Sequence, residues 1–233
     1  MSLQNTEMFD RIAKKYGIVN TIFSFGLDKY FRNSAAKIAI RENSSCTVLD
    51  TATGTGDFLL ALIKRSLEIN TRLSITGIDL SSKMLEIAKK KLSKFRDVKL
   101  YVMDATMTSF TDSSFDIITN SMALRNFDSK ADFFKESFRL LKPGGRLIIL
   151  DTVAPEGLLN KIFFDFYFKI IKFEGSLIDK KAYTFMVESI LKQKLSDVID
   201  ECISAGFKIN STKHLFTGIA VVIEAVKPLT ILT

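Results

Sequence analysis

The stretch that most constrains the fold is residues 47–66, where a short apolar run leads through a glycine-rich turn into a helical pattern. The run ends at Asp50, and Gly54 and Gly56 precede a helical pattern that begins at Phe58. Strand, glycine turn and helix in this order build the nucleotide sites of doubly wound α/β sheets. Because glycine has no Cβ, the backbone of such a turn comes close to a ligand. The stretch therefore predicts a ligand site at the end of the first strand.

The spacing of this turn argues against a dinucleotide as the ligand. A dinucleotide fingerprint has a third glycine three residues after the second, and that position is Leu59. Asp50 and Asp57 crowd the turn with negative charge, which suits a ligand that carries a cation and hydroxyl donors. S-adenosylmethionine has a sulfonium, an ammonium and a ribose, so it is the first candidate, with Thr55 as a contact through its backbone or hydroxyl. An ordinary strand-to-helix turn is the alternative at this point.

Composition bounds the class of protein. A chain of 233 residues with 47% hydrophobic residues is large enough for one domain with a substantial core. The two cysteines, Cys46 and Cys202, are far apart, so we expect a reducing, cytoplasmic setting without disulfides. We expect no secretion signal and no transmembrane helix, since the first ten residues are polar and long apolar runs are lacking. A net charge of +7 favours anionic partners, but the lysines are spread along the chain, as on a solvated surface.

Strand patterns alternate with amphipathic helical patterns along most of the chain, which indicates a parallel sheet. We predict a three-layer, doubly wound, mostly parallel sheet of seven strands, closed by an antiparallel pair. The predicted strands are 46–51, 73–79, 98–102, 115–120, 146–151, 207–215 and 219–226, and the predicted helices are 5–16, 30–41, 56–66, 81–94, 129–141, 180–192 and 195–205. Pro143, Gly144 and Gly145 predict a turn before the fifth strand.

Two regions depart from the alternation, one before the first strand and one after the fifth. We expect the helices at 5–16 and 30–41 to form a cap across the carboxyl edge of the sheet. Residues 158–173 form a helical pattern that is apolar around most of its circumference. It is either a core helix or a lid that covers an apolar substrate or contacts a membrane surface. The predicted organisation is a single domain with a helical cap at 1–43, a cofactor-binding core at 44–153, a lid with helices at 154–205 and a strand pair at 206–233.

Polar residues follow four successive strands and complete the predicted site. Asp79 ends the second strand, where an acid accepts hydrogen bonds from the ribose hydroxyls of an adenine ligand. Leu80 comes next, Asp104 and Ala105 follow the third strand, and Ser121 ends the fourth. Together with the glycine turn, these positions predict an adenosyl site.

Other chemistries find little support in the sequence. The single histidine, His214, falls in a late strand, which leaves no Ser/His/Asp triad, and no metal-ligand spacing occurs. The segment that follows the fourth strand, Asn120-Ser-Met-Ala, lacks the Pro-Pro-aromatic signature of enzymes that methylate base amines. Neither cysteine has the context of a pyrimidine nucleophile, so we expect no nucleic-acid substrate.

Several motifs resemble those of the ubiquinone/menaquinone biosynthesis C-methyltransferases over nearly the whole chain. The resemblance rests on the opening segment 8–26, on Thr53-Gly-Thr-Gly-Asp57, on Ala123-Leu-Arg125-Asn126, on 139–151 and on parts of 182–219. It implies a Rossmann-like methyltransferase fold and S-adenosylmethionine as cofactor. It also implies a polyprenylated hydroquinone as substrate, with peripheral membrane contact and a homodimer as further expectations.

By the same resemblance, the catalytic residues are Arg125, Asn126 and Tyr16. Arg125 stabilises a phenolate or positions a water that takes the phenol proton, since a guanidinium is too basic to act as a base. The alternative is that Arg125 anchors the cap through an ion pair. The family usually has Tyr-Asp at 16–17, where this chain has Tyr16-Gly17, and has His and Trp where this chain has Asp28 and Phe31.

These departures fall near the expected substrate entrance. Asp151 likewise replaces a glutamate, and Val153 stands where the family has serine. Two further readings therefore stand beside the first: a methyltransferase for another small hydrophobic molecule, and a non-catalytic binding protein with this fold.

Overall fold

The computed structural model describes residues 26–41, 45–155, 184–216, 218 and 220–229, together with positions 7, 9–11, 13, 17, 21, 24, 157 and 164. Seven strands form one sheet in the order β3-β2-β1-β4-β5-β7-β6. The strands are β1 (Cys46–Thr51), β2 (Leu73–Asp79), β3 (Val98–Val102), β4 (Phe115–Ser121), β5 (Leu141–Thr152), β6 (Lys208–Leu215) and β7 (Ala220–Val226). The helices are α1 (Asp28–Ala39), α2 (Asp57–Glu68), α3 (Ser82–Lys91), α4 (Lys130–Leu140) and α5 (Leu195–Ser204), and residues 184–192 are also helical.

The predicted topology is confirmed. β1 to β5 pair in parallel, and β7 pairs antiparallel with both β5 and β6. The strand order reverses between β1 and β4, because the chain grows outward from β1 in one direction and from β4 in the other. In sheets of this kind, ligands bind outside the carboxyl ends of the strands at that reversal point. The fold therefore points to the ends of β1 and β4 as the place to look for a site.

Helices cover both faces of the sheet, because neighbouring strand residues alternate between them. Val48 faces a core made with α1, α2 and α3, whereas Leu49 faces a core made with α4 and α5. The second core is rich in phenylalanine, and Phe133 and Phe134 of α4 are fully buried there. Serines begin α3 and α4: the Ser81 and Ser129 hydroxyls accept hydrogen bonds from backbone N–H groups three residues later.

Helix α1 differs from its expected position. We expected residues 30–41 to lie across the carboxyl edge, but α1 packs against the face of the sheet beside α2, through Phe31, Ala35 and Ala36. The small alanine side chains let the helix lie close to its neighbours. Its last carbonyls, Ile38 and Ala39, accept hydrogen bonds from Arg146 at the opposite, amino edge. Only the first turns of α1 reach the carboxyl edge. The division of the whole chain into cap, core and lid stays a prediction.

Strand β5 is longer than predicted. It begins at Leu141 instead of 146, with a register shift opposite β4 around the Pro-Gly-Gly sequence. The predicted turn is thus an irregularity inside the strand, where Gly144 has a φ of 77°. The Gly144 N–H donates to the carbonyl of Lys227, and the Lys227 N–H donates to the carbonyl of Gly145. These two hydrogen bonds hold the irregular segment beside the end of β7.

Most of the apolar segment 158–173 lies outside the described residues, and Phe164, which is described, is buried. No helix in the described part of the chain is long and apolar enough to cross a membrane.

Candidate active site

Two adjoining cavities lie at the carboxyl ends of β1, β2 and β4. They share Ala52, Gly54, Ser121 and Met122 as lining residues. The first, which we call the Asp79 cavity, extends towards Asp79, Ser81, Phe9 and Asn126, and the second, the Asp50 cavity, extends towards Asp50, Thr55, Asp57 and Arg32. Their position at the strand-order reversal is that of the ligand site in doubly wound sheets. A cavity of about 260 Å³ lies at the opposite edge, but the predicted site residues do not line it.

The glycine turn between the cavities has the backbone that its sequence predicts. Gly54 and Gly56 have φ values of 56° and 80°, which residues with a side chain rarely adopt. A Cβ on Gly56 would also lie 3.1 Å from Leu92 Cδ1 and 3.2 Å from Ala88 Cβ, so the turn needs glycine here for packing as well. The Thr55 hydroxyl donates to Asp57 Oδ2 at 2.7 Å. Because this hydroxyl proton is already engaged, Thr55 would contact a ligand more readily through its backbone.

Asp79 holds the turn in place. Its two carboxylate oxygens accept hydrogen bonds from the N–H of Gly54 at 2.7 Å and from the N–H of Ser81 at 2.8 Å. Burial raises the pKa of Asp79, although both backbone donors act in the opposite direction. A carboxylate has about four acceptor sites, so Asp79 keeps capacity for hydroxyl donors such as those of a ribose.

Asp50 is the most deeply buried acid that lines the two cavities, at 1% exposure. The Thr119 hydroxyl donates to its Oδ1 at 2.6 Å, whereas Oδ2 has no hydrogen-bond partner among the described residues. Burial raises the pKa of Asp50 to about 7, against the lowering effect of the hydrogen bond from Thr119. A carboxyl group in this state gains from a nearby cation, because an opposite charge offsets the cost of burying its ionised form.

Asp57 has a different role from the one its sequence position suggested. Lys91 of α3 donates to Asp57 Oδ1 at 2.7 Å, and the Thr55 hydroxyl occupies the other oxygen. Burial alone would raise the pKa of Asp57, but the hydrogen bond from Lys91 and that from Thr55 outweigh it, so the pKa is lowered. Lys91 therefore neutralises the negative charge of Asp57. Of the three acids that line the two cavities, Asp50 and Asp79 have no ion pair with a lysine or arginine of the described residues.

The other predicted cofactor residues are divided between the cavities and their surroundings. Ser121 lines both cavities. Asp104 accepts hydrogen bonds from the N–H and the hydroxyl of Thr106 at 2.8 and 2.7 Å, and Ala105 is buried in the same core as Leu49. Leu80, Asp104 and Ala105 follow the same edge of the sheet, but in the described part of the chain they do not line either cavity.

Two of the three predicted catalytic residues, Arg125 and Asn126, follow β4 in a short 3₁₀ turn, Leu124–Asn126. Asn126 lines the Asp79 cavity. Arg125 turns towards β5, where its guanidinium forms a short ion pair with Asp151 Oδ1 and its backbone N–H donates to Asp151 Oδ2 at 3.1 Å. Both side chains are almost fully buried, with 5% and 2% exposure. The ion pair of Arg125 in the described structure is thus with the sheet and not with the cap, and Tyr16 lies outside the described residues.

The first turns of α1 and the N-terminal segment also contribute to the site. Asp28 and Arg32, four residues apart on α1, form a buried ion pair of 2.6 Å, and Arg32 lines the Asp50 cavity. We treat Asp28 in the sequence only as a departure from the family. The spacing of four residues between Asp28 and Arg32 on a helix is the sequence signal for their ion pair. On the other side, Phe9 lines the Asp79 cavity, and Asp10 accepts a short hydrogen bond from the Ser81 hydroxyl.

Comparison with known proteins identifies the family of the chain. The ubiE/COQ5 methyltransferase family profile matches residues 2–227. The chain belongs to this family. A demethylmenaquinone methyltransferase of Thermotoga maritima is 40% identical over 219 residues, or 91% of each chain. A ubiquinone/menaquinone biosynthesis C-methyltransferase of Geotalea daltonii is 36% identical over 222 residues, or 93% of each.

Solved structures agree on the fold. A methyltransferase of Thermotoga maritima described as a possible histamine N-methyltransferase superposes with a TM-score of 0.65 at 20% identity, covering 95% of this chain and 98% of that one. The [4+2]-cyclase SpnF superposes with a TM-score of 0.71 at 14% identity, covering 97% and 96%. Since one of these neighbours is named a cyclase, the fold alone does not define the reaction.

Family membership makes this protein an S-adenosylmethionine-dependent methyltransferase. The residues at the carboxyl edge fit that cofactor. The unpartnered oxygen of Asp50 suits a cationic group, and Asp79 suits vicinal hydroxyls. The left-handed turn at Gly54 lets the backbone approach, with nothing within 4 Å of the position of a Cβ.

Proposed function

We propose that this protein methylates a ring carbon of a polyprenylated hydroquinone, either demethylmenaquinol or a ubiquinol precursor. The observation that carries the proposal is the buried Arg125–Asp151 pair, which fixes a guanidinium on the residue that directly precedes Asn126, a lining residue of the Asp79 cavity. The names of the relatives from Geotalea daltonii and Thermotoga maritima support the same substrate class.

A phenolic acceptor explains why a fixed cation would be useful here. Loss of the phenol proton places electron density on the ring carbon that receives the methyl group, and it leaves a negative charge on oxygen. Arg125 is suited to stabilise that charge, because Asp151 holds the guanidinium in one orientation and the buried setting strengthens its electrostatic effect. Its Nε has no hydrogen-bond partner among the described residues. Asp151 thus acts as the positioning residue for Arg125.

S-adenosylmethionine, when bound, supplies an electrophilic methyl group on a sulfonium, so the protein needs no nucleophile of its own. The remaining task of the protein is alignment of the acceptor carbon with the methyl group, which is catalysis by proximity and orientation. Asp50, Asp79 and the glycine turn are the residues that hold the donor, and Asn126 and Arg125 those that hold the acceptor oxygen. Tyr16 stays a predicted partner in this network.

A turnover assay with a short-chain demethylmenaquinol, kept reduced, tests the proposal. The expected product is the quinol with one added methyl group on a ring carbon, identified by mass spectrometry. Arg125→Gln should lower kcat by about 10²- to 10³-fold, the loss seen when a donor to a developing oxyanion is removed, while the Kd for S-adenosylmethionine is unchanged. The matched control is Arg72→Gln, an exposed arginine directly before β2.

Full turnover by Arg125→Gln would contradict the role of Arg125. A panel of phenols without prenyl tails tests the reading as a methyltransferase for another small molecule. Turnover of such a phenol without turnover of the quinol would replace the proposed substrate. Calorimetry with S-adenosylmethionine tests the non-catalytic alternative, because a binding protein without the cofactor site would show no heat of binding.

A prenylated substrate also requires access to a membrane, and we propose a peripheral contact. The net charge of +7 and the apolar pattern of 158–173 in the sequence support it. Co-sedimentation with vesicles should be stronger with anionic than with neutral lipid and should weaken with salt. Absence of binding to both would refute the contact. The homodimer stays a prediction, which sedimentation equilibrium tests.

A further inference from the structure

The cofactor of this site carries an anion that the acidic walls do not accommodate. The methionine portion of S-adenosylmethionine ends in an α-carboxylate as well as an ammonium. Asp50 and Asp79 suit the positive groups and the ribose, but both would repel a carboxylate. A site for this cofactor therefore needs a cation close to the glycine turn.

Arg32 is the only basic side chain among the described residues that line the two cavities. It lies on the second turn of α1 and borders the Asp50 cavity beside Gly54 and Thr55. Lys91 of α3, which pairs with Asp57 at 2.7 Å, does not line either cavity. Arg32 is therefore the candidate partner for the carboxylate among the described residues that line the cavities.

The guanidinium of Arg32 is held in place by one hydrogen bond and keeps further N–H donors. Its Nη1 donates to Asp28 Oδ2 at 2.6 Å, and this is the one hydrogen bond it makes within the described residues. A guanidinium has five N–H donors, so further donors are available for a ligand. Asp28 is itself fixed, because Ser24 contacts its other oxygen at 3.5 Å and accepts its backbone N–H at 3.0 Å.

We propose that Arg32 binds the α-carboxylate of S-adenosylmethionine and that Asp28 positions Arg32 for this contact. The arrangement gives α1 a part in cofactor recognition, although the helix packs mainly on the face of the sheet. It also gives Asp28 a function: the acid that stands where the family has histidine orients the cation. The proposal concerns the cofactor alone and holds whichever acceptor is methylated.

Two ligands that differ only in the carboxylate separate this role from a general effect on folding. The test compares the Kd of S-adenosylmethionine with that of decarboxylated S-adenosylmethionine by calorimetry on the full chain. For the unaltered protein we expect a preference for the carboxylated ligand of about 10- to 100-fold, the size of charge-assisted hydrogen bonds. Arg32→Gln should reduce the preference to less than about threefold, by weakening the carboxylated ligand alone. Lys37→Gln, an exposed lysine on the same helix, should keep the full preference.

The ratio of the two Kd values is informative even if the substitution lowers stability, because both ligands report on the same folded fraction. If Arg32→Gln does not fold, Arg32→Lys keeps the charge but loses the planar fork and should show a reduced preference. An unchanged preference in the foldable variant would overturn the proposal, as would the absence of any preference in the unaltered protein. Neither result would bear on quinol methylation, which is measured separately by turnover.

Discussion

Replacement of Asp50 by asparagine should change how the stability of this protein depends on pH. Asp50 is 1% exposed, and burial raises its pKa from 3.8 to about 7. Asparagine has nearly the same shape and can accept the hydrogen bond from Thr119, but it does not titrate. The substitution thus removes the ionisation with little change in volume.

The sign and size of the effect follow from the two pKa values. Between pH 3.8 and about 7, Asp50 is ionised in the unfolded chain but protonated in the folded protein. The folded state then binds more protons, so stability falls as pH rises through this window and is constant above it. At about 1.36 kcal/mol per pKa unit, the full loss is on the order of 4 kcal/mol. Asp50→Asn should not suffer this loss.

Urea unfolding followed by far-UV circular dichroism, from pH 4.5 to pH 8.5, measures the effect. The difference in unfolding free energy between Asp50→Asn and the unaltered protein should rise by about 3 to 4 kcal/mol in favour of the variant across this range. The titration of Asp79 is present in both proteins and largely cancels in the difference. Asp97→Asn makes the same change of side chain at an exposed position and is the matched control. A flat difference for Asp50→Asn would refute the reasoning.

The same ionisation should appear in cofactor binding. A cation beside Asp50 favours its ionised form, so binding of S-adenosylmethionine releases a proton below pH 7. At pH 6, calorimetry in buffers of different ionisation enthalpy should therefore give different apparent heats for the unaltered protein. The Asp50→Asn variant should show a smaller dependence on the buffer, and an equal dependence would contradict a contact between Asp50 and the cofactor.

Three further substitutions have expected results. Gly77→Ala should cost about 1 to 3 kcal/mol of unfolding free energy and weaken cofactor binding, because the Cβ of the alanine would lie 2.7 Å from Thr53 Oγ1. An unchanged urea midpoint would contradict this. Asp151→Asn should cost about 3 to 5 kcal/mol by leaving Arg125 buried without an ionic partner and should lower kcat with an unchanged Kd for S-adenosylmethionine; normal turnover would exclude a positioning role. Glu224→Gln, on β7 away from both cavities, should destabilise through its lost arginine partners but leave cofactor affinity intact; weakened affinity would show coupling to the site.

The strands were predictable because their patterns are local. β1, β2 and β3 begin and end where the strand patterns of the sequence predict. The start of β5 was missed because Pro143 and the two glycines carry a turn pattern, whereas strand pairing continues around them. The position of α1 was missed for another reason. Amphipathic periodicity tells which side of a helix is buried, but not which surface buries it.

The positions of Asp50, Asp79 and Ser121 at one crevice followed from sequence order, because parallel strands bring their carboxyl ends to one edge. Which of the acids at this edge are paired with a cation did not follow from sequence order. Asp57 is neutralised by Lys91, 34 residues further on, while Asp50 keeps an unpartnered oxygen. Sequence spacing contains no information on such pairs, because they depend on how α3 packs beside the turn.

The sequence by itself determined the sheet, the glycine turn and the family, since these depend on local periodicity and on motifs of a few residues. Only the tertiary structure decided which charges meet. Arg125, after β4, pairs with Asp151 of β5, and Arg32 lines a cavity whose other charged residues are acids. Both outcomes arise from burial, because a charge removed from water needs a partner within a few ångströms and only the packed chain decides which one is there.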